Sequence, residues 1–381
     1  MIKVVLSGVE TNNKGAEIML YAILQEVERQ HPDAIVYVAN VPQGVDYIKS
    51  NLKIIQKPVW KIRRFFEKIH IWNILVKIRI DRLFSDIYSV GKIDFFFDGS
   101  GFCVSDKWNT SNRQVKNWDR LLSISKRDGA KIVFLPQGFG PIERKNNKLL
   151  MSIFDKYGDL IIAREKVSYD YIRKSGLANM SKVRIYTDFT SLVKGVVPLG
   201  FEHLRNAVCV IPNVRMIDMG TISLDDYITL LSKIIIRVKS SGHMVYLLNH
   251  EGAGDEKLAY QCRHALKEDI EVVTGLNGLE VKGLISTAKL VITSRFHGVA
   301  SALNSCVPCL STSWSHKYSE LYKDYGLEDG VLPINDDVKS LKLVEDYLSD
   351  DKNSSIRHQL ERVLPHIQDE TKRMWNEIWN I

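Results

Sequence analysis

The sequence predicts an α/β protein with two Rossmann-like domains, each built on a doubly wound parallel sheet, facing each other across a cleft. Short apolar runs alternate with amphipathic helical patterns along most of the 381 residues, as in parallel sheets with crossover helices. The alternation restarts after the Pro- and Gly-containing turn at residues 197–200, and the chain is longer than one hydrophobic core usually supports. We therefore expect domains at residues 1–197 and 198–340, followed by a helical tail at residues 341–381.

The first domain opens with a strand, a polar loop, an amphipathic helix and a second strand, which is the start of a parallel sheet. The helix is recognised by apolar residues that recur at helical spacing. We place these elements at residues 2–9, 8–15, 16–29 and 35–39, later strands at 95–97, 131–135 and 160–163, and later helices at 112–128, 144–157 and 166–175.

The second domain repeats the alternation. Its predicted strands lie at residues 208–211, 244–249, 270–273, 290–293 and 308–311, and its helices at 223–240, 255–266, 278–286 and 297–304. Ligands of such sheets bind outside the carboxyl ends of the strands, so a cleft between the two domains is the predicted binding site.

Composition excludes several classes of protein. No run of eighteen apolar residues occurs, and the N-terminus lacks the pattern of a signal peptide, so we expect a cytoplasmic location. The five cysteines are odd in number and scattered, which argues against a disulfide framework. Cys306 and Cys309 have the spacing of a redox pair, but they enter an apolar run and are expected to be buried thiols. No metal-ligand cluster is visible in the sequence.

Residues 57–82 are strongly basic, although the whole chain carries a formal charge of only +7. Their aromatic and aliphatic residues fall near helical spacing, as in a basic amphipathic helix. Such a helix can contact the anionic inner face of a membrane. Alternatively, it packs on the edge of the domain and exposes its basic side to solvent. No nucleic-acid motif accompanies the segment, so we expect no nucleic-acid partner.

Glycine-bearing loops follow the strands of the first domain. A glycine lets the backbone approach a ligand closely, and the start of a helix offers amide groups to anions or sugar hydroxyls. Each loop alone is equally typical of an ordinary tight turn. These loops supply the candidate ligand-binding residues Asn13, Gly15, Glu17, Asp98, Gly99, Gly101 and Gln137.

Two arginines and a histidine at strand ends are candidates for anion binding and proton transfer. Arg295 and His297 follow the apolar strand at residues 290–293 and begin a helix. An arginine fork binds carboxylate or phosphate, a histidine titrates near neutral pH, and the helix dipole favours an anion. The alternative is an arginine in a structural ion pair and a histidine capping the sheet. Arg164, after the strand at 160–163, either reaches the cleft or forms a surface ion pair.

The order and spacing of these segments resemble the polysaccharide pyruvyl transferase family over roughly residues 4–326. The segments that carry the resemblance are residues 12–17, 98–101, 135–141, 163–165 and 294–297. The resemblance implies a GT-B-like fold, phosphoenolpyruvate as donor substrate, no cofactor or metal, and a hexose of a cell-surface polysaccharide or its lipid-linked precursor as acceptor.

The resemblance also implies roles for residues. Arg295 and His297, with Phe296 between them, would bind the donor and carry catalysis, together with a further arginine, Arg215 or Arg164. The loop residues named above would bind the acceptor. Gly15-Ala16 stands where the family commonly has Gly-Asp, and residues 99–101 read Gly-Ser-Gly in place of a glycine triplet, so the sequence departs from the family in the loops expected to bind the acceptor.

The implied reaction is formation of a pyruvate ketal. His297 would protonate the donor or assist departure of phosphate, and Asp98 or Glu17 would take a proton from the sugar hydroxyl. One alternative is a GT-B-type glycosyltransferase that uses a nucleotide sugar. Another is a membrane-associated scaffold, without catalytic activity, that uses residues 57–82.

Overall fold

The computed structural model describes residues 1–39, 52–55, 71, 90–127, 129–313 and 315–381. They form two compact units, the first comprising residues 1–10, 23–186 and 374–381, and the second residues 11–22 and 187–373. Apart from residue 71, the basic segment 57–82 lies outside the described residues, so its predicted helix stays a prediction.

The first unit contains a parallel sheet of seven strands in the order β3-β2-β1-β4-β5-β6-β7. Most of its central strand residues are buried, as expected of a sheet covered on both faces. The strands are β1 Lys3–Ser7, β2 Ile35–Ala39, β3 Leu52–Ile55, β4 Phe95–Asp98, β5 Lys131–Gln137, β6 Leu160–Ala163 and β7 Val183–Ile185.

Helices pack on this sheet through apolar faces. One contact is the stack of the Phe134 and Phe154 rings, whose centroids lie 3.8 Å apart. Among the described residues, the helices that belong wholly to this unit are α2 Asn112–Arg127, α3 Lys145–Tyr157 and α4 Lys166–Ser175.

The second unit contains a parallel sheet of five strands in the order β10-β9-β8-β11-β12. Its strands are β8 Val208–Ile211, β9 Val245–Leu248, β10 Val272–Val273, β11 Leu290–Thr293 and β12 Cys309–Ser311. Its helices are α5 Arg215–Asp218, α6 Leu224–Ser240, α7 Gly252–Leu266, α8 Gly278–Ser286, α9 Phe296–Leu303, α10 Lys317–Asp324 and α11 Asp337–Leu348.

Two long helices contribute residues to both units. Helix α1 is Lys14–Gln30, and its residues up to Ala22 belong to the second unit. Helix α12 is Asp350–Trp379, and its residues from Met374 onward belong to the first unit. Within the first unit, the ring of Trp375 packs on the ring of Phe97 in β4, so this end of the chain packs against the sheet of that unit.

The predicted fold class is confirmed, since each unit is an α/β layer structure around one parallel sheet. Most predicted strands and helices are found within a few residues of their expected bounds. The elements β3, β7, α5 and α10 were not predicted from the sequence. Cys306 and Cys309 are free thiols, and burial raises the pKa of Cys309 to about 12. None of the described helices is long and apolar enough to cross a bilayer.

Candidate functional site

The strand order of the second unit creates a switch point between β8 and β11, which are neighbours although two strands, β9 and β10, lie between them in sequence. The connections that follow two such strands run in opposite directions. This opens a crevice at the carboxyl ends of the strands, where ligands of doubly wound sheets bind. Asn213 follows β8, and its side-chain amide donates to the carbonyl oxygen of Ser294, which follows β11, over 2.5 Å. The predicted residues Arg295 and His297 therefore lie at this switch point.

The Arg295 side chain is 9% exposed and forms ion pairs with two carboxylates. Its Nε donates to Oδ2 of Asp255 over 2.7 Å, and its Nη2 donates to Oδ1 over 2.6 Å. Its Nη1 donates to Oε2 of Glu251. The ion pair that the sequence left open as an alternative is therefore present, and Asp255 fixes the plane of the guanidinium.

A guanidinium has five N–H donors, arranged along a side edge and an end edge. Asp255 fills the side edge of Arg295, formed by Nε and Nη2, while Glu251 accepts from Nη1 alone. One N–H on Nη1 and one on Nη2 have no partner among the residues that the structure describes. Burial lowers the pKa of Arg295 to about 10, so the guanidinium stays charged at neutral pH.

His297 lies in the first turn of α9, and three neighbours define its position. Its Nε2 is 3.4 Å from Oδ2 of Asp188. Its ring packs edge-to-face on Phe296, with the centroids 5.2 Å apart. On a further side stands Gly15, where a Cβ atom would lie 2.7 Å from Cγ of His297. The imidazole is thus held by residues from three separate segments of the second unit.

Asp188 and Lys282 are buried charged residues that the sequence analysis missed. Lys282 donates to the carbonyl oxygen of Thr190 over 3.0 Å. Burial lowers the pKa of Lys282 to about 8, although the charge of Asp188 opposes the change. Asp188 escaped notice because it follows β7, a strand of only three residues that carries little sequence signal. Lys282 lies within the predicted helix α8, where a lysine normally reaches solvent.

The start of α1 also belongs to this site, although the sequence assigned it to the first domain. The amide of Asn13 donates to Glu251 over 3.1 Å, and the backbone N–H of Lys14 donates to the carbonyl oxygen of His250 over 3.1 Å. Glu17 is fully buried and pairs with Lys14 over 3.0 Å. These contacts group residues 11–22 with the second unit.

The backbone amides of this helix start are not available to a ligand, which corrects the expectation from sequence. The N–H groups of Gly15 and Ala16 donate to Oδ1 of Asn13, over 2.9 and 3.4 Å. Asn13 therefore acts as the cap that the orphan amides of a helix require. What the glycine supplies here is room for His297.

Two further basic groups surround Arg295. The Arg215 side chain is 46% exposed at the start of α5, and its Nη1 lies 3.3 Å from Oδ2 of Asp218. Its charge contributes to lowering the pKa of Arg295. His250 is buried, and burial together with the charges of Arg295, His297 and Lys14 holds its pKa well below the usual value. His250 is therefore neutral at physiological pH.

The first unit has its own switch point, between β1 and β4. Gly8, after β1, has φ of +73°, and a Cβ there would lie 2.7 Å from Oδ1 of Asp98. Gly99 lies beside this contact, and Gly101 has φ of +69°, a conformation that favours glycine. After β4, the close approach of the Val9 side chain to Gly99 and the positive φ of Gly101 thus explain the glycines.

A buried polar chain runs through the same switch point. The hydroxyl of Ser100 donates to Oδ1 of Asp98 over 2.7 Å, and the amide of Gln137 lies 3.3 Å from Oδ2. The thiol of Cys103 donates to Oε1 of Gln137 over 3.1 Å. Burial raises the pKa of Asp98 to about 7, although the bonds from Ser100 and Gln137 oppose the change. Asp98 therefore titrates near neutral pH, as a proton-accepting group requires.

Arg164 belongs to the first unit and is buried. Its backbone N–H donates to the carbonyl oxygen of Gln137 over 3.0 Å, and its Nε lies 3.8 Å from Oε2 of Glu165. Of the two arginines named as possible partners of Arg295, only Arg215 belongs to the same unit as Arg295. Among the described residues, no group of three or more His, Cys, Asp or Glu side chains is arranged to hold a metal ion.

Comparison with known proteins gives a family and a fold. The family model for polysaccharide pyruvyl transferase matches residues 13–316. No curated protein matches the sequence.

Solved structures similar in fold cover nearly the whole chain at low sequence identity. The Anabaena protein Alr3699/HepE, solved with UDP and glucose, has a TM-score of 0.62 at 9% identity and covers 100% of both chains. The Methanocaldococcus jannaschii UDP-GlcNAc 2-epimerase, solved with UDP-GlcNAc and UDP, has a TM-score of 0.58 at 14% identity and covers 96% of this chain and 100% of that one. Trehalose-6-phosphate synthase OtsA has a TM-score of 0.60 at 10% identity and covers 100% of this chain and 99% of that one. The fold is therefore GT-B-like.

Proposed function

Because the chain belongs to the polysaccharide pyruvyl transferase family, we propose that it transfers a pyruvyl group from phosphoenolpyruvate to a hexose of a cell-surface polysaccharide or its lipid-linked precursor. One observation carries this proposal. The guanidinium of Arg295, oriented by Asp255, and the imidazole of His297, close to Asp188, both lie at the switch point of the second unit. The donor is an anion with both a carboxylate and a phosphate, and an arginine fork recognises either group in a bidentate manner.

The donor binds the end edge of Arg295. Asp255 holds the side edge, so an incoming carboxylate or phosphate can reach Nη1 and Nη2 together only from the end. Glu251 occupies half of that edge and must give way, and its side chain is 21% exposed whereas that of Asp255 is fully buried. The charge of Arg215 contributes to lowering the pKa of Arg295, and Arg215 adds a second cation for the phosphate.

His297 supplies the proton that starts the reaction. Its transfer to the methylene carbon of the donor forms a methyl group and leaves an oxocarbenium-like centre at the neighbouring carbon. A sugar hydroxyl attacks that centre, the carbon–oxygen bond to phosphate breaks, and a second hydroxyl closes the ketal. Two hydroxyl protons are lost, of which one balances the proton gained by the methylene carbon and the other the proton gained by phosphate.

The acceptor binds the switch point of the first unit, through the glycine turn at 99–101 and the side chains of Asp98 and Gln137. Asp98 is the group that supports this assignment, because a carboxyl with a pKa of about 7 is partly ionised at neutral pH and can take a hydroxyl proton. In this proposal Asn13, Gly15 and Glu17 belong to the donor-binding unit and help to position the residues around the donor, and they do not bind the acceptor. The enzyme works in the cytoplasm, where residues 57–82 bring it to a membrane that carries a lipid-linked acceptor.

The test is release of inorganic phosphate from phosphoenolpyruvate in the presence of a panel of free and lipid-linked hexosides. We expect release that depends on one hexoside, with the pyruvate ketal as the second product. A nucleotide-sugar transferase is the second candidate, favoured by the fold shared with proteins solved with UDP. That candidate predicts transfer of a sugar from a nucleotide sugar and no consumption of phosphoenolpyruvate.

A further inference from the structure

Asp188 is a buried carboxylate whose two oxygens contact different residues. Oδ1 accepts from the backbone N–H of Thr190 over 3.0 Å and also from the Thr190 hydroxyl, so it caps the 3-10 turn Phe189–Leu192. Oδ2 lies 3.4 Å from Nε2 of His297. Because the bonds from Thr190 hold Oδ1, the carboxylate is held in place and its Oδ2 stays within ion-pair distance of the imidazole.

The surroundings of Asp188 favour its ionised form despite burial. Lys282, itself buried, donates to the carbonyl oxygen of Thr190, the residue whose N–H and hydroxyl donate to Asp188. The charge of Asp188 acts on Lys282 and opposes the loss of its proton. A buried carboxylate that accepts N–H and O–H bonds and faces a cation stays charged more readily than an isolated one.

We infer that Asp188 is a positioning residue for His297, orienting the imidazole through Nε2 and favouring its protonated form. This inference rests on the proposed function, in which His297 gives a proton to the donor. Asp188 gives and takes no proton itself, and it touches neither the donor nor the reacting atoms. A carboxylate beside a histidine both fixes the ring and stabilises the imidazolium, which is what a general acid needs.

Several charged and titratable groups lie in the segments around His297, and they include both cations and carboxylates. Of these groups, Asp188 is the carboxylate whose Oδ2 lies 3.4 Å from Nε2 of His297. The groups are Asp188 and Lys282 from the segments 187–192 and α8, Arg295 from its own strand end, His250 and Glu251 from the turn before α7, and Lys14 and Glu17 from α1.

The test is the titration of His297 by NMR in the wild-type protein and in Asp188→Asn. The chain has ten histidines, and the His297 signal is assigned as the one lost in His297→Gln. Asparagine keeps an oxygen to cap the turn but removes the charge. We expect the titration midpoint of His297 to fall by about one pH unit, in line with loss of an adjacent opposite charge. The alkaline limb of turnover should move by the same amount, with little change in KM for phosphoenolpyruvate.

Two further variants make the result decisive. Asp369→Asn removes an exposed carboxylate that pairs with Lys372 on α12, and it should leave the His297 midpoint unchanged. Thr190→Val keeps the carboxylate but removes one bond that directs it, and it should give a smaller fall than Asp188→Asn. A wild-type midpoint in both Asp188→Asn and Thr190→Val, or an equal shift in Asp369→Asn, would overturn the inference. The NMR titration needs no substrate, so its outcome is separate from whether phosphoenolpyruvate is consumed.

Discussion

Gly15 packs so closely on the imidazole of His297 that a Cβ atom at position 15 would lie 2.7 Å from Cγ and 2.8 Å from Cβ of the histidine. The ring can therefore occupy its position only because residue 15 has no side chain. This contact links the start of α1 to the switch point between β8 and β11 within the second unit.

Substitution of Gly15 by alanine should separate activity from stability. Alanine is favoured over glycine in a helix by about 1 kcal/mol, which offsets much of the strain of turning the ring aside. A displaced catalytic group costs on the order of a hundred-fold in rate. We expect Gly15→Ala to melt near the wild-type temperature and to lose turnover by roughly that factor, as measured by phosphate release.

The matched control is Gly254→Ala in α7. A Cβ atom there meets nothing closer than 3.5 Å, so both stability and turnover should stay near wild type. Normal turnover in Gly15→Ala would mean that the position of the His297 ring does not matter for the reaction.

Removal of the charge of Glu251 should strengthen donor binding. In the structure Glu251 bonds to Nη1 of Arg295, on the edge that the donor needs. A hydrogen bond to a charged group contributes about 1.5 kcal/mol or more, equivalent to roughly a ten-fold change in Kd. We expect Glu251→Gln to bind phosphoenolpyruvate about ten-fold more tightly, as measured by calorimetry.

Asp255→Asn should act in the opposite direction, because Asp255 orients the guanidinium and does not compete for its end edge. Weaker donor binding is expected in that variant. If Glu251→Gln weakened binding as much as Asp255→Asn, Glu251 would be a second orienting group, and the exchange of Glu251 for the donor would be wrong.

Loss of the His297 imidazole should abolish most turnover while the fold is kept. A general acid typically contributes about a hundred- to ten-thousand-fold to a rate. We expect His297→Ala to lose phosphate release by a factor in that range and to retain phosphoenolpyruvate binding through Arg295. His264→Ala, at an exposed position of α7, is the control and should behave as wild type. Wild-type turnover in His297→Ala would remove the imidazole from the mechanism.

Asp98 should make the stability of the protein depend on pH in a specific direction. Burial raises its pKa from 3.8 to about 7, so between these values the folded state binds a proton that the unfolded state has lost. The free energy of unfolding therefore falls as pH rises through this window, by at most about 1.4 kcal/mol per pH unit from this group. Asp98→Asn should remove that slope, so its stability relative to wild type should increase from pH 4 to pH 7, as measured by urea denaturation. A difference that is constant with pH would show that Asp98 is ionised throughout.

Most strands and helices of the fold were predictable because the buried strands of a parallel sheet consist of continuous runs of apolar residues. Strands such as Leu160–Ala163 and Leu290–Thr293 were found at their predicted bounds, since four buried residues in a row leave little ambiguity. Val183–Ile185 was missed because it has three residues, only one of them buried. That omission concealed Asp188, which is recognisable only once it is seen to follow a strand.

The candidate site was predictable in its strand-end residues and unpredictable in their partners. Arg295 and His297 follow an apolar strand directly, so their place at the sheet edge can be derived from sequence. The carboxylates that bond to Arg295, Asp255 and Glu251, lie 40 and 44 positions before it, and no local pattern encodes such distant contacts. The Gly15 contact likewise joins residues 282 positions apart (297 − 15), so the sequence showed a glycine turn but not its purpose.

The central claim is that the switch point of the second unit recognises phosphoenolpyruvate, and calorimetric titration of the whole chain tests it most directly. We predict saturable binding of phosphoenolpyruvate that is lost in Arg295→Ala, and no comparable binding of UDP-glucose or UDP-GlcNAc. Tight binding of a nucleotide sugar, with no heat from phosphoenolpyruvate, would contradict the account.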